Sequence, residues 1–190
     1  IISRMSVEDR VGQLFMVTFP GKEIGPGSYI AELVQKYRVG GVLLRAENGN
    51  FSNGPNTPRQ VAELTNTLQR LAFTASWEVT GTIPYTTPRT AVNAPPYIPL
   101  FIAVNQEGDG YPYTELRGGM TPLPSSMALG ATWNEENAEE IGRIVGRELR
   151  ALGINMLLGP CLVVLDTPRP GMKGELGVRT LGGDPYWVGK

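Results

Sequence analysis

The sequence predicts an α/β protein made of parallel βα units, and three of its features lead there. Four apolar runs, Leu14–Val17, Gly41–Leu44, Leu100–Val104 and Ile154–Leu158, are continuous instead of alternating, the pattern of strands buried on both faces. Amphipathic helical segments separate them, so each strand can be carried back to a parallel neighbour. The long polar loops Arg45–Asn56, Asn105–Pro124 and Gly159–Asp184 follow strands two, three and four. That is the end at which parallel α/β folds bind ligands.

Each element has its own local signal. Ser6 and Asp9 have the spacing of a helix cap ahead of the first strand, Leu14–Val17. Ser28 caps a helix whose apolar positions Ile30, Leu33, Val34 and Tyr37 recur at helical spacing, and Gly40-Gly41 ends it before the strand Gly41–Leu44. Thr57 as cap, Pro58 at the first helical position and Gln60 three residues on predict a second long helix with the stripe Val61, Leu64, Leu68, Leu71 and Ala75. Residues 81–99 hold five prolines and read as an insertion between that helix and the strand Leu100–Val104, at the end away from the ligand loops. A third long helix starts near Thr132 or Asn134. It buries Ala138, Ile141, Val145, Leu149 and Leu152, pairs Glu139 with Arg143 outside, and stops at Gly153 before Ile154–Leu158. A doubly wound sheet and a TIM (β/α)8 barrel both fit this alternation. A barrel needs about 250 residues, so the 190 residues are expected to form one unit, a truncated first half of a barrel with the insertion at 81–99.

Composition removes several chemistries. Cys161 is the only cysteine and there is no histidine. An intrachain disulfide, a multi-cysteine metal site, a Ser-His-Asp triad and histidine-ligated zinc are therefore excluded within these residues. Seventeen basic against eighteen acidic residues give a net charge of −1, which argues against a general nucleic-acid surface. No stretch approaches the roughly 20 apolar residues of a membrane span. The opening "IISRMSVEDR" has neither a starting methionine nor signal character, so prior removal of an export signal and an extracytoplasmic location are compatible with it.

The chemistry that remains rests on carboxylates, arginines and hydroxyls. Glu107, Asp109 and Glu115 lie in the loop after strand three, with Arg117 beside them. Carboxylates at such a rim suit acid–base work on a glycosidic bond or hydrogen bonds to sugar hydroxyls, while loop solubility is the plain alternative. Arg179, among glycines after strand four, offers several donors either to a ligand or to its own loop. Asp166 reads as a turn residue, Cys161 as a small buried one, and Trp77, Trp133 and Trp187 stand too far apart for a motif. Tyr111, Tyr113 and Trp187 are aromatics of the kind that stack on sugars. "GDGYP" and "LGGDP" only weakly resemble phosphate loops, since neither opens a helix with a full glycine motif.

In order and spacing, "MSVEDRVGQLFMV", "GGVLL", "PLFIAVNQEGDGYP", "LPSSMALGATWN", "GRELRALGINMLLGP" and "LGVRTLGGDPYWV" resemble the N-terminal barrel domain of glycoside hydrolase family 3. The resemblance runs from about Met5 to the last residue and implies a retaining β-glycosidase acting on terminal β-linked glucose or N-acetylglucosamine, with no metal or organic cofactor. It implies sugar-binding roles for Asn105, Glu107 and Arg179, with Arg117 standing in for an arginine that has no aligned partner. The family's aspartate ahead of Gln-Glu-Gly is here Asn105, which forfeits a charge-assisted bond worth roughly 1–2 kcal/mol. Val163 stands where an aspartate is usual. The Lys-His pair and the nucleophile of the family lie beyond the last position here, so no catalytic residue is expected among the 190. Expected partners are a carbohydrate substrate and either the other half of a barrel or a second copy. A non-catalytic sugar-binding or structural module is the competing expectation, with a nucleotide-binding protein third.

Overall fold

The computed structural model describes residues 1–78, 96–108, 110, 112–165 and 177–190. Four strands, β1 (Met16–Val17), β2 (Gly41–Leu43), β3 (Phe101–Asn105) and β4 (Met156–Leu158), form one sheet in the order β1-β2-β3-β4, every pair parallel. Sequential order is that of successive strands in a (β/α)8 barrel. It removes the doubly wound alternative, whose strand order reverses at a switch point. The helices are α1 (Val7–Gly12), α2 (Tyr29–Gln35), α3 (Thr57–Glu78), α4 (Ser126–Gly130), α5 (Glu135–Ala151) and α6 (Pro185–Val188).

The sheet has two different faces. Val42, Leu44, Ile102 and Val104 are fully buried on the helix side, where Ile30 and Val34 of α2, Val61, Leu64 and Leu68 of α3, and Val145 and Leu149 of α5 join them in one core. The register sets Met16, Gly41 and Phe101 side by side on the other face. There Phe101 remains 53% exposed. The edges are also open: Leu14 and Phe15 are exposed beside β1, and Leu157 of β4 is 38% exposed. Burial on both faces, expected for all four strands, therefore fails at the edge strands β1 and β4, each with a neighbour on one side only, and at Phe101 of β3, which lies on the open face.

At the base of the sheet, backbone meets backbone. The Gly40 N–H donates to the carbonyls of Gly12 (3.1 Å) and Phe15 (3.0 Å). A Cβ at Gly40 would strike the Gln13 carbonyl, and one at Gly12 the Tyr37 carbonyl, so only glycine admits this approach. The Gln13 amide donates to the Arg38 carbonyl at 2.7 Å. Arg38 pairs with Asp9 at 3.0 Å and donates to the Pro96 carbonyl at 3.0 Å. The last residues of the proline-rich stretch thus sit at this end, as expected; residues 79–95 lie outside the described ones.

Several local readings change in the folded chain. The Ser6–Asp9 capping box forms, but the one expected at Thr57 does not. Thr57 is the first residue of α3, and its hydroxyl turns back to the preceding turn, 3.0 Å from the Ser52 carbonyl and 2.8 Å from that of Gly54. Gln60 also reaches Ser52 instead of the helix start. At α5 the cap is Asn134, which accepts from the Glu136 N–H at 2.9 Å, and Ala138 is exposed instead of buried. The Glu139–Arg143 pair forms at 3.8 Å, alongside a shorter Glu140 contact of 2.5 Å to the same arginine. Tyr37 lies beyond the end of α2 and is exposed. Helix α4, capped by Ser125, is a single turn too short to show a periodicity.

One buried side chain ties α3 to the approach to β4. Thr65, 1% exposed, donates its hydroxyl to the Leu152 carbonyl at 2.6 Å. Replacement by valine keeps the shape and leaves that carbonyl unpaired. Thr65→Val is expected to cost about 1–2 kcal/mol, read as a lower urea midpoint with an unchanged slope.

Candidate functional site

All four strands point their carboxyl ends to one rim, and polar side chains there replace the hydrogen bonds that the strands no longer make. Past β3 the chain folds back on itself: Gln106 and Thr114 form an antiparallel bridge, and the Glu107 N–H donates to the Tyr113 carbonyl at 2.9 Å. Buried Gln106 behaves as an extra peptide unit, donating to the Leu116 carbonyl (2.8 Å) and accepting from the Leu116 N–H (3.1 Å). The Thr114 hydroxyl closes the turn by donating to the Gly108 carbonyl at 2.6 Å. Asn105, half-buried at the strand end on the open face, is fixed through its carbonyl, which accepts from the Glu115 N–H at 3.0 Å.

Glu107 and Arg179 meet although 72 residues separate them. Arg179 donates from Nε to Oε2 at 2.9 Å and from Nη2 to Oε1 at 2.8 Å, a bidentate pair of the strong charge-assisted kind. The Glu107 side chain is 7% exposed and that of Arg179 is 26% exposed. The guanidinium carbon lies 4.3 Å from the centre of the Tyr113 ring, a cation–π contact. Hydrogen bonding to Glu107, more than any other cause, holds the Arg179 guanidinium above its ordinary pKa. Gly159, at the end of β4, makes room: a Cβ there would overlap Cγ of Glu107.

A second polar group links the loops after β1, β2 and β3. Buried Asn50 accepts the Arg45 N–H at 2.8 Å and donates to the carbonyls of Phe19 (3.0 Å) and Gly21 (2.6 Å). Glu115, whose side chain is wholly buried, accepts the Ala46 N–H at 2.8 Å and faces Arg45. Asn53 donates to the Glu115 carbonyl at 2.9 Å and accepts from the N–H groups of Arg117 (2.8 Å) and Gly118 (3.2 Å).

The residues singled out in the sequence therefore separate into groups. Asn105, Glu107 and Arg179 share the rim. Arg117 is exposed on the far limb of the hairpin, where it borders a shallow recess with Gly110, Thr114, Thr121 and Leu123. Asp109, Tyr111 and Asp166 lie outside the described residues. Val163 is exposed after β4, and its carbonyl accepts the Thr180 hydroxyl at 3.1 Å. Cys161 is half-buried, not enclosed. Trp133 and Trp187, remote in sequence, do meet: their rings stand edge to face at 6.0 Å, with Tyr186 next to Trp187 at 5.5 Å. Among the described residues no three His, Cys, Asp or Glu side chains converge into a metal-binding group. Arg45, Asn50 and Asn53 were hidden in what reads as a plain polar loop. The usable signal for Arg45 is its place directly after the buried run "GVLL".

Residues 6–190 match the family model described as the glycosyl hydrolase family 3 N-terminal domain. A β-hexosaminidase A of Pseudoalteromonas piscicida is 30% identical over 164 residues, covering 85% of this chain and 23% of that protein. A β-N-acetylglucosaminidase/β-glucosidase of Cellulomonas fimi is 27% identical over 188 residues, covering 98% and 26%. The structure of a glycoside hydrolase family 3 β-N-acetylglucosaminidase from Paenibacillus sp. str. FPU-7 superposes with a TM-score of 0.74 at 34% identity, covering 97% of this chain and 29% of that one. The chain thus spans about a quarter of the length of these relatives.

Two losses are expected from this geometry. Glu107→Ala strands a part-buried guanidinium and should cost about 3 kcal/mol. Combined with Arg179→Ala it should cost clearly less than the sum of the single changes, as a thermal-melt double-mutant cycle would show. Asn50→Ala unpairs one N–H and two carbonyls at once and should also cost about 3 kcal/mol by urea titration.

Proposed function

This chain belongs to glycoside hydrolase family 3, and from that premise we propose that the whole protein is a retaining β-glycosidase acting on terminal β-linked N-acetylglucosamine or glucose. The observation that carries the reading is the rim of β3 and β4, where Asn105 stands beside the Glu107–Arg179 pair. The activities for which the similar proteins are named, β-N-acetylglucosaminidase foremost, support the substrate class.

The roles follow from the bonds already made. Asn105 offers an amide donor and acceptor to a sugar hydroxyl. Both oxygens of Glu107 are taken by Arg179, so Glu107 acts by holding the guanidinium, whose remaining donors serve the sugar. Arg117 contributes at the outer margin of the same loop. A retaining reaction needs two carboxyl groups about 5–5.5 Å apart across the scissile bond. Glu107 is committed and Glu115 is enclosed, so neither fills such a role, and the resemblance to the family implies a nucleophile and an acid/base outside these 190 residues. The uncovered sheet face around Phe101 is the natural seat of the remaining βα units; with residues 1–190 expressed alone, a second copy takes their place. Sedimentation of that piece should show more than a monomer, and a soluble monodisperse monomer would refute this assignment.

A non-catalytic sugar-binding module is favoured by the uncharged Asn105 and Val163, at two positions where the resemblance implies an acidic residue. Turnover decides. The full-length protein should hydrolyse p-nitrophenyl N-acetyl-β-D-glucosaminide or the corresponding glucoside, with Asn105→Ala lowering kcat/KM about 10-fold. Sugar binding with no turnover of either substrate would overturn the enzyme reading in favour of the module.

A further inference from the structure

Arg45 occupies a place at the rim that the established bonds do not explain. Leu44 is fully buried on the helix side and donates its N–H to the Ala103 carbonyl at 3.0 Å. Alternation along the strand therefore turns Arg45 to the open face. Leu43 pairs with Ala103, so two residues further on Arg45 stands level with Asn105. Its backbone N–H is held by Asn50 and the next N–H, that of Ala46, by Glu115. The guanidinium touches Glu47 through Nη2 at 2.6 Å, while its Nε faces Oε1 of Glu115 across 3.7 Å. That separation is too long for a hydrogen bond. Arg45 Nε and Glu115 Oε1 are both buried and neither has a hydrogen-bond partner among the described residues, an arrangement that is costly for a loop that needs only to be stable. The arginine side chain is still 32% exposed.

We propose that Arg45 is a substrate-contacting residue that donates to adjacent hydroxyls of an uncharged sugar ring, and that Glu115 is its positioning residue. The inference rests on the glycosidase reading and adds a donor to it. Of the five N–H groups of a guanidinium, one goes to Glu47 and one points at Glu115, and the other three belong to a side chain that keeps 32% of its surface exposed. The two flanking carboxylates outweigh the single positive charge of the guanidinium, so a neutral polyol fits better than an anion. The neutral amide at 105 belongs to the same arrangement: a carboxylate at that level would compete for the guanidinium.

The test measures kcat/KM of the full-length protein on the p-nitrophenyl β-glycosides of N-acetylglucosamine, glucose and glucuronic acid. Arg45→Met is expected to lose about 10- to 100-fold on the neutral substrates, with Arg45→Lys recovering part of the loss. Glu115→Gln is expected to lose less, and the double variant Arg45→Met/Glu115→Gln to be no worse than Arg45→Met alone, a non-additivity that a purely structural Glu115 would not produce. Wild-type kcat/KM in Arg45→Met overturns the proposal. If that variant does not fold, wild-type values in Arg45→Lys overturn it, and a loss of about fivefold or more supports it. Faster turnover of the glucuronide than of the glucoside overturns the neutral ligand class. If the wild type turns over none of the three, the glycosidase reading fails separately. Calorimetric binding of N-acetylglucosamine then decides, with binding lost in Arg45→Met supporting the contact, and equal binding or no wild-type binding overturning it.

Discussion

The bidentate bond between Glu107 and Arg179 is the contact on which the rim depends. Glu107 is nearly enclosed, and an enclosed carboxylate without a cation would protonate or draw in water. The arginine that answers it arrives at the end of the long segment after β4, so one ion pair brings residues 177–190 to the hairpin after β3. The Tyr113 ring packs on the guanidinium and the bare backbone of Gly159 lies against the Glu107 side chain. Two short charge-assisted bonds in a half-dry setting are among the stronger contacts that a single pair of side chains can make.

Elsewhere the rim is ordered largely by amides, with the Glu115 carboxylate among them. Asn50, Asn53 and Gln106 each satisfy two or more backbone groups on a loop other than their own, or on the opposite limb of their hairpin. Strand ends release N–H and C=O groups that still demand partners, and neutral side chains supply them at little desolvation cost. The ligand-facing end can thus be irregular in backbone and still well determined.

Much of the scaffold was legible in the sequence because it is built from short-range rules. The Ser6 and Ser28 caps, the α3 and α5 stripes around Leu68 and Leu149, and the four apolar runs all depend on neighbours within a turn or a strand. What stayed illegible depends on neighbours that sequence spacing does not reveal. Thr57 has every mark of a cap, yet its hydroxyl is drawn to the Ser52 carbonyl by the turn before it. Glu107 and Arg179 were each visible as candidates, but the bond between them was not, since nothing in two remote segments states their register. Arg45 reads as an ordinary loop residue until the parity of the strand before it is known. The exposure of β1 and β4 follows from their position in the sheet, which four apolar runs do not specify.

The glycine contact at the base of the sheet has a consequence for how this protein can change over time. Gly12 and Gly40 let two main-chain turns lock together with no side chain involved, and Gln13 and Arg38 reinforce the lock from either side. The opposite end adds side-chain bonds to its own close approaches, Gly108 against the Pro124 carbonyl and Gly118 against the Gly54 backbone. Tolerance to substitution is therefore lowest wherever main chain meets main chain, at the base and at these rim glycines alike. Rim side chains such as those of Asn105 and Arg45 can therefore be exchanged, and a ligand preference with them, while the frame beneath them stays the same.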